Sequence, residues 1–166
     1  LDGAGDFVAM PDDPAYDFEP NEDFTVSFWM KPTTIQANTT STENTLLGKW
    51  DNVTYSGLGF PYTIRYRNQG HTSPGTIRVL RRSGSAGLIT TDSVTTIAPD
   101  EWHHVAYVKN GTTLSLYIDG MYEVSTTDTA DGAAAGTMHT ASELLVGTLG
   151  AGGNEFSGSM DEIRIW

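Results

Sequence analysis

Cysteine is absent from this 166-residue chain. No disulfide can hold the fold and no thiol can act as a nucleophile, so stability must come from the packed core that a chain of this length can form. Positive charge is scarce: nine Lys and Arg stand against 21 Asp and Glu, a net charge of −12. Such a surface repels phosphate, which argues against a nucleic-acid partner. No leader pattern is seen and no apolar run reaches membrane-spanning length, so no membrane insertion is expected. A sustained helical period is missing, and nothing repeats at a solenoid or propeller interval.

What the chain has is alternation. From Glu101 to Glu123 it reads as three antiparallel strands and two tight turns. Asn110-Gly111 and Asp119-Gly120 are hairpin signals, because type I′ turns need positive φ at both central residues. Trp102, His104, Ala106 and Val108 alternate with His103, Val105, Tyr107 and Lys109, and Trp102 is expected to lie in the core. Leu114, Leu116 and Ile118 form a further apolar row that calls for a second packed layer. Shorter alternating runs fall at Phe7–Met10, Phe24–Lys31, Leu46–Trp50, Tyr62–Tyr66, Ile77–Arg82, Leu144–Gly147 and Phe156–Trp166, with weaker ones between Leu88 and Ile97. Phe24, Val26, Phe28 and Met30 share one face, with Thr25, Ser27 and Trp29 on the other. Roughly a dozen short strands separated by turn residues predict an all-β fold, a two-sheet antiparallel sandwich. Thr126–Ser142 is small and polar and reads as a surface loop.

Five segments carry a family resemblance. They are the 101–123 stretch, Leu1-Asp2-Gly3-Ala4-Gly5-Asp6-Phe7-Val8, the Asp23–Pro32 strand, Leu46-Leu47-Gly48-Lys49-Trp50, and the closing run from Phe156 to Trp166. In this order they resemble the laminin G-like domains of the concanavalin A-like lectin/glucanase superfamily. The resemblance implies a jelly-roll sandwich. Members bind glycans or proteins, or have no known ligand, so the fold does not fix the function. The chain reads as one domain over residues 1–166, a monomeric module cut from a longer extracellular or cell-surface protein.

The resemblance also implies a structural calcium ion where the first strand meets the last, with Asp2, Gly3, Asp6 and Asp161 as candidate ligands. Hard cations take carboxylate and carbonyl oxygens. The competing reading makes Asp2 and Asp6 turn residues and Asp161 an acceptor of backbone hydrogen bonds.

Three further clusters bear on binding. Trp50, Asp51, Asn52, Tyr55 and Tyr62 offer rings beside amide and carboxylate groups, the chemistry that holds a sugar, and Asn68 and His71 lie in the next connection. The same aromatic residues could equally be packing residues. Arg65, Arg67, Arg78, Arg81 and Arg82 are five of the nine basic residues. Pairing of their strands puts Arg65, Arg67, Arg78 and Arg82 on one face and Arg81 opposite. They could grip an acidic glycan through guanidinium forks, or neutralise the chain's own carboxylates. The neighbours His103 and His104 point to opposite faces, so they cannot share a ligand. His104 is expected to be a hydrogen-bonded core residue. Asn38, Asn52 and Asn110 each begin an Asn-x-Thr triplet.

Glucanases of the resembled fold set two catalytic carboxylates two or four residues apart on one strand. No strand here has that spacing, and Asp161-Glu162 are adjacent and expected to face opposite ways. The chain therefore reads as non-catalytic. A glycan-binding module, a protein-binding adhesion module and a ligand-free spacer all remain open; an aromatic shelf beside the ion or the rim loops would favour the first, and a flat, dry apolar patch the second.

Overall fold

The computed structural model describes residues 1–34, 43–50, 60–83, 87–129, 141–149 and 154–166. Among the described residues eleven strands are seen: β1 Val8–Met10, β2 Phe24–Pro32, β3 Glu43–Gly48, β4 Phe60–Arg67, β5 Ile77–Ser83, β6 Gly87–Asp92, β7 His103–Asn110, β8 Thr113–Ile118, β9 Met121–Thr127, β10 Leu144–Val146 and β11 Gly158–Ile165. They form two sheets. One has the order β1-β10-β3-β4-β5-β6 and the other β11-β2-β7-β8-β9. Every pairing is antiparallel. This is the two-sheet antiparallel sandwich expected from the alternating pattern, and the jelly roll that the family resemblance implies. Among the described residues the helical content is one 3-10 turn, Pro14–Tyr16, capped by Asp13, and no helix is long and apolar enough to cross a membrane.

The core fills the space between the sheets. Phe24, Val26, Phe28 and Met30 of β2 face Tyr62, Ile64 and Tyr66 of β4 and Ile77 and Val79 of β5. A register shift between Thr45 and Leu47 breaks the alternation of β3, and both Leu46 and Leu47 are buried. Such bulges bend a strand where the sheet must curve.

Trp102 departs from expectation. It precedes β7 and is 45% exposed, so it lies outside the core. The β7–β8 register supplies the reason. Val105 pairs with Ile118, Tyr107 with Leu116 and Lys109 with Leu114. Directly opposed residues share a face, so the aliphatic row of β8 draws Val105 and Tyr107 inward and leaves His104 outward. The Asp119–Gly120 turn has positive φ at both residues, as its type demands.

The two long sides of the sandwich differ. On one, the Glu123 carboxylate of β9 accepts hydrogen bonds from the backbone of Val94 and Thr95, lacing the sheets together. On the other, β1 and β11 are edge strands with an apolar groove of about 600 Å³ between them, lined by Val8, Met10, Leu144, Val146, Met160 and Ile163 among others.

Candidate functional site

The outer face of the five-stranded sheet presents an aromatic shelf. Inward-facing Phe28 and Met30 force Trp29 outward, where it is 41% exposed. Its cross-strand partners are Asp161 of β11 and His104 of β7, so the three form a row across three strands. The Trp29 and His104 rings lie 5.3 Å apart at 57°. His104 is thus a surface ring backing the shelf and not a core residue. The inward neighbour is His103, whose Nδ1–H donates to Asp119 Oδ2 at 2.8 Å. The other oxygen of Asp119 accepts from the His104 backbone N–H at 2.8 Å. Burial would raise the Asp119 pKa, but these hydrogen bonds prevail and hold it below the usual carboxylate value.

Glu162 completes the shelf by breaking a rule. Adjacent strand residues ordinarily point to opposite faces. Here the β11–β2 register shifts between Asp161 and Arg164, and Glu162 has φ 51°. A bulge of this kind re-aims a side chain. As a result Trp29, Trp102, Asp161 and Glu162 line one open cleft of about 370 Å³. The Glu162 N–H donates to Asp161 Oδ1 at 2.8 Å, and the Glu162 carboxylate pairs with Arg164. The sequence reading missed this site because it placed Trp102 inside and Asp161 and Glu162 on opposite faces.

The opposite sheet carries the arginines. Arg65 and Arg78 are direct cross-strand partners. Glu43 accepts from Arg65 Nη1 at 2.8 Å and from Arg78 Nη1 at 3.0 Å. Asp92 takes a two-pronged bond from Arg78, at 2.9 and 3.0 Å, and pairs with Arg67. Burial would raise the Asp92 pKa, yet the hydrogen bonds from Arg78 and Arg67 keep it depressed. The reading in which these arginines neutralise the protein's own carboxylates therefore describes Arg65, Arg67 and Arg78. Arg67 is 4% exposed and cannot reach a ligand. Arg81 turns inward, as its alternation requires, and is fully buried. Trp50 stacks on Phe60 with ring centroids 4.9 Å apart, and the Arg65 guanidinium sits 5.1 Å above the Trp50 ring. His71 lies in the connection after β4, its Nδ1 accepting from the Ser73 N–H at 3.0 Å. Burial, then Arg67 and Arg78, lower its pKa.

Tyr62 is not a ligand residue. It is fully buried, its hydroxyl donates to Tyr16 O at 3.2 Å, and burial drives its pKa far upward. Asp51, Asn52 and Tyr55 lie outside the described residues, as do the Asn38 and Asn52 triplet positions; Asn110 is exposed at the end of β7.

Of the calcium ligands expected from the chain ends, Asp2, Gly3 and Asp6 lie together in one turn and Asp161 lies apart. The Asp2 N–H donates to Asp6 Oδ2 at 3.3 Å, and Asp2 Oδ1 accepts from the Ala4 N–H at 2.8 Å. These are turn contacts, although Gly3 does sit between the two acids with φ 78°. Asp2 bridges to Ser157, whereas Asp161 is four residues further along the chain, on the order of 13 Å away at strand rise. Among the described residues no group of three or more His, Asp or Glu is placed to hold a metal ion.

A laminin G family model, described as concanavalin A-like lectin/glucanases superfamily, matches residues 2–166. No curated protein matches the sequence. Solved structures share the fold at low identity. Domain 4 of an extracellular arabinanase from Geobacillus stearothermophilus, in complex with arabinotriose, is 20% identical with a TM-score of 0.64, over 99% of this chain and 68% of that one. The CBM40 module of Ruminococcus gnavus IT-sialidase, bound to alpha2,3 sialyllactose, is 16% identical with a TM-score of 0.62, over 87% of this chain and 76% of that one. Domains LG4-5 of the mouse laminin alpha1 chain are 13% identical with a TM-score of 0.60, over 87% of this chain and 36% of that one.

Proposed function

Because the chain belongs to the concanavalin A-like lectin/glucanases superfamily, we propose that it is a non-catalytic carbohydrate-binding module of a secreted or cell-surface protein, with its contact surface on the Trp29–Trp102 shelf. The observation that carries this reading is the meeting of two exposed indoles and two carboxylates in one open cleft. A sugar ring lays its C–H face on an indole, while its hydroxyls donate to carboxylates beside it. Asp161 and Glu162 supply the acceptors. Strand pairing with β11 and β7 fixes Trp29 in place, so little side-chain freedom is lost on binding. Arabinotriose in the arabinanase domain and sialyllactose in the sialidase module support sugar as the ligand class.

A non-catalytic role fits the carboxylates. A glycosidase sets a general acid and a nucleophile or base on either side of the scissile bond. Asp161 and Glu162 are neighbours on one edge strand, and Arg164 already holds Glu162.

Calcium is a separate proposal, with Asp2 and Asp6 as its donors from the described residues, and the shelf does not depend on it. The test is a glycan array run in calcium and in chelator with wild type, Trp29→Ala and Trp102→Ala. Binding by wild type that survives chelation and is lost in both variants is expected. Binding unchanged in both variants would remove the shelf as the contact surface.

A second reading, a protein-binding adhesion module, draws on the apolar groove between β1 and β11, beside which Phe7 and Val8 are more than half exposed. Patches of this kind are commoner at protein contacts than on free surfaces. A dry array together with pull-down of an extracellular protein that Val8→Asp abolishes would favour it.

A further inference from the structure

The shelf does not end at His104. Two residues further along the strands, on the same outer face, a second row crosses the five-stranded sheet. Arg164 opposes Ser27, Ser27 opposes Ala106, Ala106 opposes Tyr117, and Tyr117 opposes Tyr122. We propose that the Tyr117–Tyr122 pair is a second subsite of the shelf, and that the ligand is a neutral linear oligosaccharide lying across the strands, with one ring on Trp29 and another on the tyrosines. The proposal rests on the shelf being a sugar-contact surface and adds the length and charge class of the sugar.

The placing of Tyr122 is the first argument. Val124 of β9 opposes Leu116, which faces the core, so unbroken alternation would turn Tyr122 inward as well. Instead the β8–β9 register shifts between Leu116 and Tyr117, and Tyr122 lands beside Tyr117 on the outer face, 58% exposed. The two rings meet edge to face, with centroids 5.8 Å apart at 74°. The Tyr122 hydroxyl donates to Ser125 Oγ at 3.0 Å, which fixes the ring before any ligand arrives. Both edge strands of this sheet thus carry a register shift. One brings the Glu162 carboxylate to the outer face and the other brings the Tyr122 ring. Bulges gather at sheet edges next to functional sites, where they re-aim side chains.

Relief is the second. Ser27 is 6% exposed although it faces outward, sunk between larger neighbours, and Ala106 beside it carries a methyl group alone. These small residues leave a trough between Trp29 and the tyrosines. Trp29 and Tyr117 stand two strands and two residues apart, on the order of 12 Å between backbones, which is wider than a single sugar ring.

Chemistry is the third. Indole and phenol faces take the C–H faces of sugar rings. The next row along, Thr25, Val108, Ser115 and Ser125, adds hydroxyl groups on the same face. Rings interleaved with hydroxyls suit a hydroxyl-rich chain, whereas a protein partner favours a contiguous apolar patch. Asp161 and Glu162 at one end, on a chain of net charge −12, repel an acidic saccharide and favour a neutral one.

The test is calorimetric titration with arabinan, xylan and cellulose oligosaccharides, each from disaccharide to hexasaccharide, with a galacturonate ladder as the acidic control and NMR titration for the short members. At least one neutral ladder is expected to bind, its affinity climbing about tenfold or more once the chain reaches from Trp29 to Tyr117. Tyr122→Ala should cost the hexasaccharide about tenfold and leave the disaccharide within about twofold, a split that a general loss of structure would not produce. Tyr122→Phe keeps the ring and should hold the hexasaccharide within about twofold of wild type. Trp29→Ala should weaken every length. Affinity that does not grow with length, or hexasaccharide binding that Trp29→Ala abolishes and Tyr117→Ala/Tyr122→Ala leaves unchanged, overturns the second subsite while the shelf stands. Binding that Trp29→Ala leaves intact removes the shelf and this proposal with it. If no neutral ladder binds, or galacturonate binds more tightly, the neutral linear ligand is overturned, and the glycan array still decides the shelf.

Discussion

Arg81 Nε donates to Asp128 Oδ2 at 3.0 Å, and neither side chain has any solvent exposure. The guanidinium also donates to Pro61 O at 3.1 Å and Glu19 O at 3.2 Å. Buried Lys109 approaches the same carboxylate at 3.9 Å. An ion pair inside the sandwich thus ties β5 of one sheet to the residue that follows β9 of the other. Desolvating two charges is expensive, so removing one partner is far worse than removing both. Asp128→Ala is expected to cost about 3–5 kcal/mol, read as a fall in the urea midpoint, and the Arg81→Met/Asp128→Leu double variant to recover much of it. A single variant as stable as wild type would show that the pair contributes little.

Trp102→Ala should separate folding from binding. Exposed Trp102 leaves no core cavity when truncated, so stability should change by less than about 1 kcal/mol. Glycan affinity should fall by about tenfold or more, equivalent to at least ~1.4 kcal/mol. Circular dichroism melts beside the glycan titration check both halves. An unfolded variant would return Trp102 to the core.

Acid should loosen the arginine face in a definite window. Burial opposes ionisation of Asp92, but the hydrogen bonds of Arg78 and then Arg67 prevail and depress its pKa. A depressed folded-state pKa means its contribution is fully present above the unfolded value near 4 and drains away as pH falls through the folded value. Asp92→Asn should therefore be less stable than wild type at pH 7, with the gap closing as pH falls below that unfolded value. Denaturant midpoints across that range decide it; a constant gap would mean that the charge is not what stabilises.

Gly158→Ala should damage the start of β11. Gly158 has φ 154°, and a Cβ built there would lie 2.4 Å from Lys31 O and 2.7 Å from the Phe156 ring. Backbone carbonyl and packed ring leave no room to yield, so a loss of about 2 kcal/mol or more is expected. A melting temperature within about a degree of wild type would contradict the close packing.

Much of the fold was legible because burial on one face writes itself as period two. The β2 and β8 rows, the Asp119–Gly120 turn and the inward turn of Arg81 all followed from it. Trp102 shows where the reading erred, and the signal was present. A two-residue turn at Asn110–Gly111 or at Gly111–Thr112 pairs Leu114, Leu116 and Ile118 with odd-numbered residues of β7, so even-numbered Trp102 and His104 fall outside. Size and apolarity of the indole outweighed that parity. Glu162 was not legible at all, since nothing in Asp161-Glu162-Ile163 announces a positive φ. The bulge arises in pairing with β2, a partner more than a hundred residues distant. Tyr62 and Trp50 looked alike as loop-rim aromatics, and only the sheet order separates the buried ring from the one at a pocket wall.

β11 also sets how the molecule would carry a load. Leu1 O accepts from Gly158 N–H at the beginning of the strand, while Trp166 exchanges two backbone bonds with Thr25 at its end. Residues 1 and 166 therefore sit at opposite ends of an eight-residue strand, on the order of 25 Å apart. Tension between them runs along β11 and shears its rungs with β2 all at once, where a peeling geometry would break them one by one. The same ladder that seats Trp29 beside Asp161 is the one that resists being pulled.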